Sequence, residues 1–220
     1  MVERHVRDVE VEGSNPFTPT RIGHQFRYDW CPFFSLEMLI HRRGGKIMRL
    51  FHVSEESDIK VFEPRLPTRK DLNPNIGLVW AIDEARLPNF LTPRDCPRVA
   101  YHVGSQTNEA DKNRFFASSG ISHAIVIESG WYQTIINTTL YLYEFHTEDF
   151  VLQDSTAGYY VAITTQYPKE KYVITDLFGE LLKRNVEIRI TDNLWDIADD
   201  VKTSTLNWSL CRMANATPRP

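Results

Sequence analysis

Two short apolar segments, separated by a proline-broken loop, set the strongest limit on how this chain folds. The first, Met48–Ser54, ends in a run of polar residues, and the second, GLVWAID at Gly77–Asp83, has Asn-Pro-Asn before it and an acidic residue after it. Both have the length and the β-branched and aromatic content of strands. The loop contains two prolines and three cations within residues 64–70, which predicts an extended conformation. We expect the two strands to bring His52, Arg65 and Trp80 to one rim of a sheet.

His52 lies near the end of the first predicted strand. Because side chains alternate across a strand, Leu50 and His52 share one face, while Phe51 and Val53 share the other. If the face of Phe51 and Val53 is the core, His52 points away from it, toward a cleft or a cover. The alternative is a core histidine that hydrogen-bonds a neighbouring carbonyl group, since buried polar groups are normally satisfied. The sequence leaves both interpretations open.

The rest of the chain is rich in strands, and helices lie between them without a regular βα repeat. This order predicts an α+β protein with a mixed, largely antiparallel sheet. The segment Gly104–Ser122 is polar and predicts a surface loop, whereas Gly158–Ile163 and Ser204–Met213 cannot be assigned to one type. The clearest strands are Arg98–Val103, His123–Ser129, Thr139–Phe145 and Val186–Ile190, and the helical segments are Ala85–Leu91, Gly130–Asn137, Ile174–Lys183 and Leu194–Val201.

Composition indicates one domain with an extension before it. A chain of 220 residues with 42% hydrophobic residues is long enough for one sizeable core and short for two. Residues 1–47 keep no helical or strand period for long, so we predict a mostly disordered extension there. We predict a single domain over 48–216 and a tail over 217–220.

Charge and cysteine content limit the classes of partner. The formal net charge of −4 gives no global basic surface, so we expect no nucleic-acid partner. No run of about 18 apolar residues occurs, so we expect no membrane-spanning helix and a cytoplasmic location. Three widely spaced cysteines predict neither a disulfide framework nor a zinc site. We expect no required cofactor, and the oligomeric state stays open.

The segment PRDCPR at Pro93–Arg98 places a cysteine between an aspartate and two arginines. Nearby cations lower the pKa of a thiol, so Cys96 is a candidate nucleophile. No histidine is tied to it by a catalytic motif. We therefore favour a turn that aims Arg94 and Arg98.

The segment from Met48 to Ala216 resembles a family of uncharacterised microbial proteins, classed as a domain of unknown function. The resemblance covers about three quarters of the chain and is carried by motifs in a fixed order. These motifs are Leu50–Ser57, Ile59, Phe62, Pro64-Arg65, Val79–Asp83, Pro93–Val99, Leu140–Phe145, Gly158–Val161, Val186–Arg189, Leu194-Trp195 and Ser204–Ala216. The resemblance implies that the domain begins near Met48, but it implies no activity.

The opening LFHVS strand, the loop after it and the strand LVWAID are also similar to ADP-ribosyltransferase-like and RNA 2'-phosphotransferase-like domains. In those transferases a strand-borne histidine holds a ribose hydroxyl of NAD, an aromatic side chain stacks on nicotinamide, and a later glutamate supports an oxocarbenium ion. The resemblance implies the first role for His52 and the second for Trp80 or Tyr160. Glu144 and Glu187 are the candidate glutamates, and each is otherwise an ordinary strand-borne carboxylate.

Two functional hypotheses follow from this second resemblance. One is a domain that binds NAD, as a substrate, or an ADP-ribose-like nucleotide and transfers ADP-ribose. The other is a non-catalytic ligand-binding or protein-interaction module on the same fold. The chain has no glycine-rich phosphate loop, so arginines would bind the phosphates. The candidate catalytic residues are His52, Glu144 and Glu187, and the candidate ligand-binding residues are Ser54, Arg65, Trp80, Asp83, Arg94, Arg98 and Tyr160.

Overall fold

The computed structural model describes residues 48–67 and 72–219, and the strands in this part of the chain form two sheets. The predicted extension over 1–47 lies outside the described residues. The strands are β1 Leu50–Ser54, β2 Val79–Asp83, β3 Arg98–His102, β4 His123–Glu128, β5 Leu140–Phe145, β6 Val151–Asp154, β7 Tyr159–Ala162, β8 Pro168–Ile174, β9 Glu187–Thr191 and β10 Asn207–Cys211. The α-helices are α1 Glu109–Phe115, α2 Tyr132–Asn137, α3 Leu177–Lys183 and α4 Trp195–Lys202, and 3-10 helices form at Leu87–Phe90, Ser129–Trp131 and Met213–Asn215.

The first sheet has six strands in the order β6-β7-β2-β1-β5-β8, and each neighbouring pair is antiparallel. β1 lies between β2 and β5, so the two apolar segments of the sequence are neighbours in this sheet. The second sheet has four strands in the order β10-β3-β4-β9, of which β4 and β9 are parallel. The prediction of an α+β protein with mixed, largely antiparallel pairing is confirmed, and its strands are divided between two sheets.

The main core lies between the two sheets. Phe51 and Val53 of β1 pack in one cluster with Ala100 of β3 and with Ile125 and Ile127 of β4. Complete burial of one such side chain contributes about 1.5–3 kcal/mol to stability. This contact face includes every second residue of β3, which places Arg98, Ala100 and His102 on the side toward the six-stranded sheet.

Two further clusters cover the outer faces of the sheets. On the outer face of the six-stranded sheet, Leu50 packs with Phe62, Tyr143 and Phe145. His52 shares this face, because it is two residues from Leu50 on the same strand. The third cluster lies under α1 and α4, where Tyr101, Phe115 and Val201 are buried, among others. Both faces of β1 are thus covered, and His52 points away from the main core.

Several elements differ from the sequence prediction. The segment predicted as a surface loop contains α1, which begins after Asn108, whose side chain accepts a hydrogen bond from the backbone N–H of Asp111. β8 was not predicted, because it is a charged edge strand that begins at Pro168. The ambiguous segments form β7 and β10. The predicted tail contacts the domain, since the backbone N–H of Thr217 donates to the carboxylate of Glu128.

None of the helices that the structure describes is long and apolar enough to span a membrane.

Candidate functional site

The first two strands separate at His52. β1 and β2 pair only through Leu50 with Asp83 and Phe51 with Ile82. Just before β2, Leu78 forms a short bridge with Arg65 of the intervening loop, with backbone hydrogen bonds of 2.9 and 3.1 Å. The imidazole of His52 therefore lies beside a part of β2 that no longer pairs with β1.

The His52 ring contacts the backbone of β2 and an aromatic side chain of the loop. Its Nδ1 lies 3.3 Å from the carbonyl oxygen of Trp80, and its ring centroid lies 4.8 Å from that of Phe62. The pKa of His52 is lowered to about 4, chiefly by burial and also by the positive charges of Arg94 and Arg65, while the hydrogen bond to Trp80 acts in the opposite direction. The ring is therefore neutral at pH 7, and its Nδ1 carries the hydrogen that the carbonyl oxygen accepts. This is the contact expected of a core histidine, yet two arginines are close enough to act on its charge.

A small pocket lies at the end of β1, and we call it the β1 pocket. Its polar lining consists of Ser54, Glu55, Thr92, Arg94 and Arg98, of which Ser54, Arg94 and Arg98 were predicted as ligand-binding residues. The cavity volume is about 20 Å³, which is room for one water molecule. Arg94 links the β1 pocket to His52, since it lines the pocket and its charge helps to lower the pKa of the imidazole, although Val53 of the pocket faces the main core and His52 faces the outer side of the sheet.

Arg98 is an unusual residue of the β1 pocket, because its side chain is almost fully buried. Only 4% of it is exposed. Its Nε donates to the carbonyl oxygen of Asn89 at 2.6 Å, its Nη1 donates to that of Cys96 at 3.0 Å, and its guanidinium lies over the ring of Phe90. Among residues 48–67 and 72–219, no carboxylate forms an ion pair with it. A buried cation without an opposite charge is costly, so this position is suited to an anion.

Ser54, Thr92 and Arg94 of the β1 pocket differ in their hydrogen bonds. The Oγ of Ser54 accepts a hydrogen bond from the backbone N–H of Glu56 at 3.0 Å. The Oγ1 of Thr92 is buried and has no hydrogen-bond partner within the described part of the chain. Arg94 is exposed, and its backbone N–H donates to Oε1 of Glu55 at 2.7 Å. The pocket thus combines two guanidinium groups with a hydroxyl group for which the described residues offer no partner.

The two glutamates predicted as catalytic lie away from His52. Glu144 is paired with Phe51 across β1 and β5, so it lies on the face opposite His52. Its carboxylate binds Arg49 at 2.6 and 3.2 Å and accepts a hydrogen bond from Tyr172, and the bonds to Arg49 lower its pKa to about 2. Glu187 lies on β9 of the other sheet and accepts hydrogen bonds from the backbone N–H of Ala117 and from Arg189.

Four predicted ligand-binding residues lie outside the β1 pocket, and one of them, Arg65, pairs through its backbone with Leu78. The Trp80 ring is buried in the main core against Tyr159, with its Nε1 unpartnered among the described residues. Tyr160 is partly buried in the outer cluster, on the face of His52. Asp83 ends β2, and its Oδ1 accepts a hydrogen bond from the backbone N–H of Arg86 at 2.8 Å. Of the two aromatic candidates, only Tyr160 shares a face with His52.

Cys96 has the environment of a structural residue. It is fully buried, and burial raises the pKa of its thiol to about 12. Its Sγ donates to the carbonyl oxygen of Pro97 at 3.5 Å, and its backbone N–H donates to the carbonyl oxygen of Pro93. The thiol therefore stays protonated at neutral pH, and the segment forms the turn that precedes Arg98.

Sequence reasoning missed two sets of residues. Thr92 and Glu55 line the β1 pocket. The sequence could have pointed to them, because Thr92 is close to Arg94 in the chain and Glu55 follows Ser54. A second, larger cleft lies around His102 and His123, which we call the histidine cleft. Each histidine is isolated in sequence, and only the pairing of β3 with β4 brings the two together.

Comparisons with known proteins give one match, and it agrees with the motifs found in the sequence. No curated protein and no solved structure matches the chain. A family model matches residues 51–216, which contain the β1 pocket, His52 and the histidine cleft. The chain belongs to this family, which is described as a family of unknown function, DUF6886.

Proposed function

We propose that the β1 pocket and His52 bind a small nucleotide through its phosphates and ribose. The observation that carries the proposal is the buried guanidinium of Arg98, which lines the pocket without an acidic partner in the described part of the chain. Two of its five N–H groups bind carbonyl oxygens. The remaining donors suit the oxygens of a phosphate, for which arginine has matching geometry.

The shape of the β1 pocket indicates how a phosphate would enter it. A cavity of about 20 Å³ admits one oxygen atom of a phosphate, and not a whole nucleotide. One phosphate oxygen would reach Arg98 and the hydroxyl of Thr92, while the other oxygens face the exposed Arg94. The rest of the ligand then lies outside the pocket and passes around the end of β1 at Ser54 to reach His52, because Val53, Phe90 and Leu140 of the pocket belong to the main core whereas His52 lies on the outer face of the sheet. The short β1–β2 pairing supports this path, because the two strands are not joined beyond Phe51.

The imidazole of His52 is suited to accept a hydrogen bond from a sugar hydroxyl. The neutral ring donates through Nδ1 to Trp80, which makes Nε2 the hydrogen-bond acceptor of the imidazole. An acceptor of this kind can hold a ribose hydroxyl, which is the role that the transferase resemblance implies. An ADP-ribose-like nucleotide, including NAD, offers both a ribose and two phosphates, so it is the ligand class that we favour.

Binding is better supported than transfer of ADP-ribose. Stabilisation of a cationic sugar in the transition state needs a carboxylate near the ribose. Glu144 is held by Arg49 on the opposite face of the sheet, and Glu187 belongs to the other sheet. Glu55 is the carboxylate that lines the β1 pocket. We therefore favour a non-catalytic nucleotide-binding module. Transfer of ADP-ribose is the alternative, and it requires Glu55 in this role.

A thermal-shift panel of nucleotides on the full chain tests the binding proposal. A ligand at a hundredfold excess over its Kd stabilises the folded state by about 2.7 kcal/mol, so ADP-ribose or NAD should raise the Tm by several degrees. The variant Arg94→Ala should lose this shift while it remains folded, since Arg94 is exposed. Arg114→Ala is the matched control, because Arg114 is also an exposed arginine and pairs with Asp200 outside the pocket. A shift that survives in Arg94→Ala, or no shift with any nucleotide, contradicts the proposal.

Release of nicotinamide from NAD separates binding from transfer. We expect the wild-type chain to bind without measurable release of nicotinamide. If release is observed and is lost in Glu55→Gln, the chain is a transferase or a glycohydrolase, and the preference for a binding module is wrong. The variant Glu187→Gln is the control, since Glu187 lies in the other sheet.

A further inference from the structure

The histidine cleft has a volume of about 400 Å³, which is within the range of small-ligand sites. Its polar lining consists of Glu84, Arg86, His102, Ser122, His123 and Arg184, and none of these residues lines the β1 pocket. Ala85, Pro88 and Val103 give it an apolar part. The cleft is therefore a separate site with both charged and apolar walls.

The two histidines are held side by side and are nearly inaccessible. His102 of β3 pairs with His123 of β4, and their ring centroids are 5.5 Å apart. Only 5% of His102 and 8% of His123 are exposed. The Nε2 of His123 lies 2.7 Å from Oδ1 of Asn89, so it carries a hydrogen that this amide oxygen accepts. Asn89 thus fixes the orientation and the tautomer of one ring.

His102 has an unmet hydrogen-bonding group at the cleft. Its Nε2 is buried and has no hydrogen-bond partner among residues 48–67 and 72–219. Buried polar atoms in native proteins are nearly always paired, and an exception needs an explanation. Because His102 lines the cleft, an oxygen atom of a bound ligand accounts for the missing partner.

The charges around the two rings favour an anion. Arg86 lies near enough to act on both, because burial and then its positive charge lower the pKa of His102 to about 2 and of His123 to about 4. Arg184 also lines the cleft and is paired with Glu180, while Glu84 is paired with Arg49. The positive charge of Arg86 disfavours a metal ion beside the two rings. In addition, no group of three metal-binding side chains occurs in the described part of the chain.

We propose that the histidine cleft is a second ligand site, which binds the phosphate group of a phosphomonoester. Two of the groups that line the cleft can donate a hydrogen bond to a phosphate oxygen, namely Nε2 of His102 and the guanidinium of Arg86. The Nε2–H of His123 is donated to Asn89, and the ring of His123 lies beside that of His102. The organic part of the ligand packs on the apolar wall near Pro88. This site is independent of the nucleotide site proposed above, and the full chain can bind at either one alone.

Histidine side-chain NMR of the full, isotope-labelled chain tests this site directly. The probe is phenyl phosphate, a phosphomonoester with an apolar group. Titration to millimolar concentration should shift the ring nitrogen signals of His102 and His123 in a saturable way, while His146, an exposed histidine, should not respond. Saturable changes elsewhere without changes at His102 and His123 overturn the proposal, and so does the absence of any change.

Variants distinguish this site from the β1 pocket. Arg86→Gln should weaken binding of phenyl phosphate at least about tenfold, which corresponds to about 1.4 kcal/mol. Arg114→Ala should leave the binding of phenyl phosphate unchanged, because Arg114 is an exposed arginine that lines neither pocket. If Arg94→Ala abolishes the response and Arg86→Gln does not, phenyl phosphate binds the β1 pocket and the second site is refuted. If Arg86→Gln does not fold, the wild-type titration still decides, because it reads the two rings themselves.

Discussion

The two buried histidines of the cleft should make the domain sensitive to mild acid. In the unfolded chain each has a pKa near 6.5, whereas the folded values are about 2 for His102 and about 4 for His123. Both folded values are lowered, so below pH 6.5 the unfolded state binds protons that the folded state excludes. The free energy of unfolding is therefore not reduced by these histidines above pH 6.5, and it falls as the pH decreases toward 4.

The size of this effect follows from the same pKa values. At pH 5 nearly one proton is bound at each site in the unfolded chain, and almost none in the folded protein. Each histidine then lowers the free energy of unfolding by about 2 kcal/mol relative to pH 7, and the pair by about 4 kcal/mol. This is a large share of the 5–15 kcal/mol that is typical of a domain. The charged groups that line the same cleft are Arg86, Arg184 and Glu84.

Urea unfolding at pH 7 and pH 5, followed by tryptophan fluorescence, measures the effect. The double variant His102→Gln/His123→Gln should lose about 4 kcal/mol less than the wild type between the two pH values. The variant His146→Gln should behave as the wild type, because that side chain is exposed. An equal loss in the double variant and the wild type would refute the assignment of acid sensitivity to this pair.

Three other variants test the remaining structural statements. His52→Ala should cost roughly 1–3 kcal/mol, because it removes the hydrogen bond to Trp80 and the contact with Phe62, and it should abolish stabilisation by a nucleotide. A stability loss without any ligand for the wild type would leave His52 as a structural residue. Cys96→Ser should lower stability by about 1–2 kcal/mol and leave nucleotide binding intact, and a loss of binding would assign a role to the thiol. Deletion of residues 1–47 should leave a cooperative thermal transition, and its disappearance would place the extension in the core.

The sequence predicted the local elements well where one face of a strand is apolar. The alternation in LYLYEF identified β5, and the short runs around His52 and Trp80 identified β1 and β2. It did not predict the division into two sheets, because strand pairing depends on contacts between residues far apart in the chain. β8 was missed for a related reason, since an edge strand needs few apolar residues and carries charges instead.

Some of the residues that line the β1 pocket were named from the sequence, and the arrangement of the others depends on tertiary contacts. Arg94 and Arg98 were chosen because arginines near a turn suit phosphate, and both line the β1 pocket. Burial of Arg98 could not be predicted, because it depends on the 3-10 helix Leu87–Phe90, whose Asn89 and Phe90 contact the guanidinium. His102 and His123 are twenty-one residues apart in the sequence, and only the register of β3 and β4 places them together.

The β1 pocket and the histidine cleft share one structural support, the 3-10 helix Leu87–Phe90. Arg98 and His102 lie on the same face of β3 and are about 13 Å apart along the strand. Asn89 contacts a residue of the β1 pocket and a residue of the histidine cleft, because its backbone oxygen accepts from Arg98 while its side-chain oxygen accepts from His123. The residues before and after Asn89 also line different cavities, since Phe90 lines the β1 pocket and Pro88 lines the histidine cleft. The packing of the two sheets thus leaves polar groups at both ends of an apolar interior, and Asn89 satisfies one group at each end.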